Sequence, residues 1–173
     1  MERWQKLEEY TRSRMEEITG YSRLTACSGR FGDADVSAGM WMIECKWRNT
    51  PHRCLFIRSQ WDKVCKEAQR HNKIPMLVME NRVGDITAVI EYDMFIELFE
   101  GTDITSKNPA YPPFHSTELP YEHIHAQKSI SQDMWEKYRK CNEAISYVTI
   151  NDKTEEREEV VFMDFDDFIE WMR

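Results

Sequence analysis

Glu44 and Lys46 close the apolar run Met40–Ile43 in the stretch GRFGDADVSAGMWMIECKWRNT (Gly29–Thr50), with Asp33 and Asp35 upstream of it. On a β-strand, side chains two residues apart share a face, so Glu44 and Lys46 project together and Cys45 projects the other way. An isolated Glu-x-Lys pair is ordinarily a salt bridge on a sheet surface. This one ends a strand too apolar for an exposed edge, and Asp35 lies where a preceding strand or turn would bring its carboxylate alongside. Two carboxylates at short range repel and raise each other's pKa unless a cation lies between them. Mg²⁺ takes one or two carboxylates and keeps positions for water and phosphate oxygens. Such an ion activates water and neutralises charge on phosphate, while the lysine holds the water or stabilises the pentavalent state. These are the groups that phosphodiester hydrolysis needs.

The surrounding pattern supplies elements to hold them. Trp4, Leu7, Thr11, Met15 and Ile18 recur at helical spacing and Gly20 ends the pattern, which predicts a helix over about 3–19. Tyr21–Cys27 reads as a strand, Ser28–Asp33 as a turn or flexible loop, and Met40–Trp47 as a strand covered on both faces. A helix over Gln60–His71, capped by Ser59, carries Trp61, Val64, Cys65 and Ala68 on one face. Strands at Ile74–Met79 and Ile86–Tyr92 flank a turn at Asn81–Asp85, and a short helix follows at Asp93–Phe99. Residues 101–128, with Pro109, Pro112, Pro113 and Pro120, read as an irregular connection. Beyond it, VFMDFDDFIEWM from Val161 aligns with AVIEYDMFIELF from Ala88 at an offset of 73, sharing four identities in twelve. That echo fits either an internal repeat or two amphipathic units of similar pattern. Strands at Tyr147–Ile150 and Val160–Met163 and a helix from Asp166 complete the reading. The expected organisation is a core over residues 1–100, the connection over 101–128, and an acidic α/β extension over 129–173, packed on the core or beside it.

The net charge of −8 argues against a polyanionic partner, but it averages two unlike halves. Residues 1–82 hold 15 Lys or Arg against 11 Asp or Glu, a balance of +4, and the remainder holds 8 against 20, a balance of −12. A polyanion is therefore expected at the first half, and a protein partner at the acidic second half. No apolar run approaches a membrane span and the N-terminus is charged, so a cytoplasmic protein is expected, in the host cytoplasm if phage-encoded. Five cysteines without CxxC or CxH spacing read as reduced core thiols.

The ordered set Asp35-Val36, then Ile43-Glu44-Cys45-Lys46, resembles the active-site signature of the PD-(D/E)xK nuclease superfamily. More narrowly, the chain is similar to archaeal and phage Holliday-junction resolvase-like endonucleases. Glu8 or Glu9 on the first helix, Ser28-Gly29, Glu67-Ala68, Pro75–Val78 and Ala88–Phe99 occur in that family's order, over about residues 4–100. The resemblance implies a restriction-endonuclease-like fold, a mixed central sheet flanked by helices, and a homodimer cutting branched DNA. It implies Asp35, Glu44 and Lys46 as catalytic residues, with Glu8, Asp35 and Glu44 holding Mg²⁺ or Mn²⁺. Counting back from Gly20 favours Glu9, but helical periodicity sets Glu8 nearer the sheet side. The Asp-Val step selects Asp35 over Asp33. Members of that family are usually basic and shorter, so the acidic second half departs from the pattern.

Ser28, Arg30 and Arg48 flank the predicted site and are candidate DNA-binding residues. His123 and His125, two apart in EHIHA, lack a third metal ligand nearby and read as solvated or hydrogen-bonded. Trp41, Trp47 and Trp61 read as core or interface rather than base-stacking platforms. A second function class also fits: a noncatalytic nuclease-fold module whose acidic half binds a basic protein.

Overall fold

A computed structural model describes residues 1–25, 34–49, 56–100, 115–116, 145–150 and 156–173. Helix α1 (Arg3–Thr19) opens with a capping box between Glu2 and Gln5, and Gly20 closes it in the left-handed conformation at φ 73°. Leu7, Thr11 and Met15 are its buried face. Strands β1 (Ser22–Leu24), β2 (Val36–Ala38) and β3 (Trp41–Trp47) then form an antiparallel meander. Gly39 and Met40 are the two-residue turn between β2 and β3, with Gly39 at φ 54° as its first central residue. A Cβ at Gly39 would also come within 3.1 Å of the Thr19 side chain, so this hairpin packs tightly against the end of α1.

Helix α2 (Arg58–Arg70) carries the chain over the sheet to β4 (Ile74–Glu80), which lies parallel to β3 with Glu44 opposite Leu77. Strand β5 (Ile86–Glu91) returns antiparallel and runs into α3 (Tyr92–Glu100). After the two-residue β6 (His115–Ser116) come β7 (Ile145–Ile150), β8 (Arg157–Asp164) and α4 (Phe165–Met172). The eight strands among the described residues join one mixed sheet in the order β1-β2-β3-β4-β5-β8-β7-β6. This is the expected mixed central sheet flanked by helices, built around an antiparallel meander and a helical crossover to a parallel strand.

The echoed segments occupy equivalent elements. β5 runs into α3 as β8 runs into α4, and the two strands are antiparallel neighbours with Thr87 opposite Asp164. Phe95 and Phe168, 73 residues apart, are both buried.

Helices α1, α3 and α4 gather on one face. Tyr10 meets Phe165, Phe168 meets Trp41 and Phe99, and Phe99 meets Trp171. Helix α2 covers the other face, where Phe56 bridges Trp61 to Phe162. With both faces covered, β3 and β4 are buried along nearly their whole length, as their continuous apolar character predicts.

Several boundaries differ from expectation. The first strand spans three residues, and β2 is a separate strand that the sequence reading did not resolve. Helix α2 begins at Arg58 with Ile57 at its N-cap and no side-chain cap hydrogen bond, so Ser59 lies inside the first turn. The Asp164 carboxylate caps α4 instead, accepting from the Asp166 and Asp167 amides at 2.9 and 3.1 Å. The two-residue β6 lies within the stretch expected to be irregular. Among the described residues, no helix is long and apolar enough to cross a membrane.

Candidate active site

The β2–β3 register places the key carboxylates. Val36 pairs with Ile43, and one further step of the same register sets Asp35 beside Glu44. Glu44 is 1 % exposed and Asp35 is 7 % exposed, so both carboxylates are inside the protein. Asp35 Oδ2 accepts a hydrogen bond from the Cys45 amide at 2.8 Å, which fixes its position at the entry to β2. Cys45 points to the opposite, α1-facing side, where burial pushes its thiol pKa well up and makes it an inert core residue.

Glu44 Oε1 receives two ammonium groups. Lys46 Nζ lies at 2.5 Å, from two residues along the same strand, and Lys63 Nζ lies at 3.2 Å, from α2. Glu44 Oε2 is buried and accepts no hydrogen bond among the described residues. An unsatisfied buried carboxylate oxygen costs free energy unless something it can coordinate is brought to it. Burial, followed by the neighbouring Glu44 charge, raises the Asp35 pKa against the opposing pull of the Cys45 amide, Lys46 and Lys63.

Glu8 enters from α1. Its pKa is raised from 4.5 to about 7, first by burial and then by Asp35, with Glu44 and Glu9 adding and Lys46 opposing. The neighbouring Glu9 instead makes a salt bridge with Arg12 at 3.0 Å. Glu8 is thus the helix carboxylate within electrostatic range of the Asp35, Glu44 and Lys46 side chains. The trio Glu8, Asp35 and Glu44 does not close into a ligand cluster, however. Among the described residues, Cys65, Glu91 and Glu158 are the group whose ligand atoms all fall within 4.8 Å of one another. Those three line a separate cavity of about 720 Å³ that touches none of Glu8, Asp35, Glu44, Lys46 or Lys63.

The donors nonetheless suit a hard divalent cation. They are carboxylate oxygens, two of the three side chains are buried, and one buried oxygen is unclaimed. The Glu8 shift has a measurable consequence. A carboxyl whose folded pKa is raised contributes stability that is full below about pH 4.5 and is lost as the pH rises through about 7. Glu8→Gln, which removes the ionisation, is therefore expected to be more stable than wild type at pH 8 in the presence of EDTA. The gain is about 1 kcal/mol after discounting for solvent screening of this half-buried group, and it vanishes at pH 4.5. Urea melts at the two pH values measure it, and a difference between the proteins that does not change with pH would contradict it.

Arg48 follows β3, donating its amide to Glu80 O at 2.7 Å and its guanidinium to Gln60 Oε1 of α2. It therefore stands two residues beyond Lys46, braced against α2. Ser28, Arg30, Asp33, His123 and His125 lie outside the described residues, as do Cys27, Cys54 and Cys141. Cys45 and Cys65 are free thiols. Trp41 and Trp61 are core residues, 4 % and 0 % exposed.

Lys63 is the site residue that sequence reading missed. A lysine between Trp61 and Val64 reads as a solvated flank of an amphipathic helix. Its neighbour Glu67, one turn onward, is 2 % exposed, but that burial is a tertiary fact, and no sequence signal marks the lysine.

No family model matches the chain, and no curated protein matches it in sequence. Among solved structures it is similar to a Holliday junction resolvase, Hjc, from the archaeal hyperthermophile Archaeoglobus fulgidus. The similarity spans 50 % of this chain and 71 % of that one, at 12 % identity and a TM-score of 0.41. The likeness is distant, and the functional reading rests on the site's own geometry.

Proposed function

We propose that this chain is a divalent-metal-dependent DNA endonuclease of the PD-(D/E)xK type, acting on branched DNA as a homodimer inside the cell. The observation that carries the reading is the buried Glu44, which sits beside Asp35 with one oxygen held by lysines and the other unclaimed. Asp35 and Glu44 would hold Mg²⁺ or Mn²⁺, with Glu8 completing the set from α1. When bound, the ion supplies Lewis-acid activation of water and neutralises charge on the scissile phosphate.

The protein's own groups do the rest. The buried strand β3 holds Glu44 and Lys46 on one face with little freedom, which lowers the entropic cost of alignment. Lys46, with 28 % of its side chain exposed, presents an ammonium at the mouth of the site. There it donates to a phosphate oxygen and stabilises negative charge as phosphorus becomes five-coordinate. Asp35 is kept in place by the Cys45 amide, so its carboxylate does not need to reorganise during the reaction. Arg48, with Ser28 and Arg30, would contact the phosphate backbone.

The test is cleavage of a four-way junction and of a linear duplex of the same sequence, in Mg²⁺ and in EDTA. Metal-dependent cutting of the junction in preference to the duplex is expected. No cutting of either sinks the enzyme claim, and equal cutting removes the branch preference. The −12 balance after residue 82 favours a second reading, a noncatalytic module that engages a basic protein, and that reading alone survives if neither DNA is cut.

A further inference from the structure

Lys63 touches two carboxylates at once. Its Nζ is 3.2 Å from Glu44 Oε1 and 4.0 Å from Glu67 Oε1, the latter on its own helix one turn onward. Glu67 is 2 % exposed and Glu44 1 %, whereas 41 % of the Lys63 side chain is exposed. One part-exposed ammonium thus stands between two buried acids. Lys46 differs in kind, since it rises from the same strand as Glu44 and faces the mouth of the site.

We propose that Lys63 is a positioning residue that stands in for the metal at Glu44 in the metal-free protein and moves to Glu67 when the cation arrives. This rests on the reading of Glu44 as a metal ligand. Asp35 and Glu44 are neighbouring buried acids, and Lys63 is the second ammonium that meets Glu44. A second cation at Glu44 keeps that side chain in place while the site is empty. The same charge opposes an incoming metal ion, so it must be able to leave. A long, solvent-reaching stem allows that movement, and Glu67 gives the ammonium a partner at its destination. Lys63 would therefore set the metal affinity of the site through competition.

The competition gives opposite signs for the two partners. Lys63→Met removes the competitor and is expected to bind Mn²⁺ about tenfold more tightly than wild type, the scale of deleting one charge near a partly exposed site. Glu67→Gln removes the ammonium's alternative partner and is expected to bind Mn²⁺ several-fold more weakly. Lys63→Arg keeps the charge and is expected to stay near wild type. In EDTA, Lys63→Met is expected to melt below wild type, and saturating Mn²⁺ is expected to erase that deficit, because binding to the folded state alone stabilises it.

Calorimetric titration of Mn²⁺ into the full chain, with Glu44→Ala as the reference, decides the matter. Tighter binding by Lys63→Met together with loss of binding in Glu44→Ala supports the handover. Binding by Lys63→Met that equals or falls below wild type, with Glu44→Ala still inert, overturns it and leaves the nuclease reading standing. A merely structural lysine would give that result. Mn²⁺ uptake that is absent from wild type, or unchanged in Glu44→Ala, overturns both. If Glu67→Gln fails to fold, the methionine and arginine variants at Lys63 carry the test by themselves.

Discussion

Glu44→Gln is expected to lower metal-dependent DNA cleavage by at least about 10³-fold, the scale seen when one electrostatic stabiliser or proton-transfer group is removed from an active site. The substitution preserves shape. The amide oxygen can still accept the Lys63 hydrogen bond and lie beside the Lys46 ammonium, so the side chain keeps both neighbours. What disappears is the negative charge and, at the position of Oε2, an oxygen free to coordinate. An NH₂ group placed there is a donor, and it repels a cation. The fold should tolerate the change to within about 2 kcal/mol, because both lysines are partly exposed and can be rehydrated once the carboxylate charge is gone. Cleavage assays at matched protein concentration, alongside a urea melt, separate the two effects. A variant that folds and retains cleavage within tenfold of wild type would show that the chemistry lies elsewhere.

The sequence disclosed the strand that carries Glu44 and Lys46 because that strand is covered on both faces, and an unbroken apolar run followed by charge is visible without any structure. Helix α1 was legible for a similar reason: Leu7, Thr11 and Met15 keep the spacing of one buried face, although Trp4, which fits the same period, is 49 % exposed at the helix start. The strand β2 was hidden because three residues are too few to show alternation. It is defined by its partner and by the turn at Gly39, whose left-handed backbone and contact with Thr19 are tertiary facts. The start of α2 was misplaced since Ser59 has cap chemistry but lies inside the first turn, where the helix has already begun. Lys63 was illegible for a deeper reason. Its role depends on where α2 crosses the sheet, and local periodicity says only which side of a helix is apolar. The strand-and-helix echo at an offset of 73 could be counted in the sequence, but its physical meaning came from pairing: β5 and β8 lie side by side, and each delivers a helix to the same face.

Phe168→Ala is expected to destabilise the protein by about 3–5 kcal/mol, the range for removing a large aromatic side chain from a filled core. Phe168 is fully buried on α4, near the end of the chain, and its ring meets Trp41 edge-on at 5.6 Å and Phe99 at 6.4 Å. Trp41 is the first residue of β3, three positions before Glu44 and on the opposite face of the sheet. The residues after 156 are thus packed against the strand that carries the candidate chemistry. The ring contacts should also be energetically coupled: a cycle of Trp41→Ala, Phe168→Ala and the double variant is expected to give about 0.5–1.5 kcal/mol of interaction, as aromatic pairs do. Because the Trp41 and Glu44 side chains lie on opposite faces, the loss should appear in stability before it appears in chemistry. Phe168→Ala held well below its melting temperature should therefore keep most of its cleavage rate while its urea midpoint falls. A cost under about 1 kcal/mol would mean that α4 only rests on the sheet, and that β3 owes its rigidity to α1 and α2 alone.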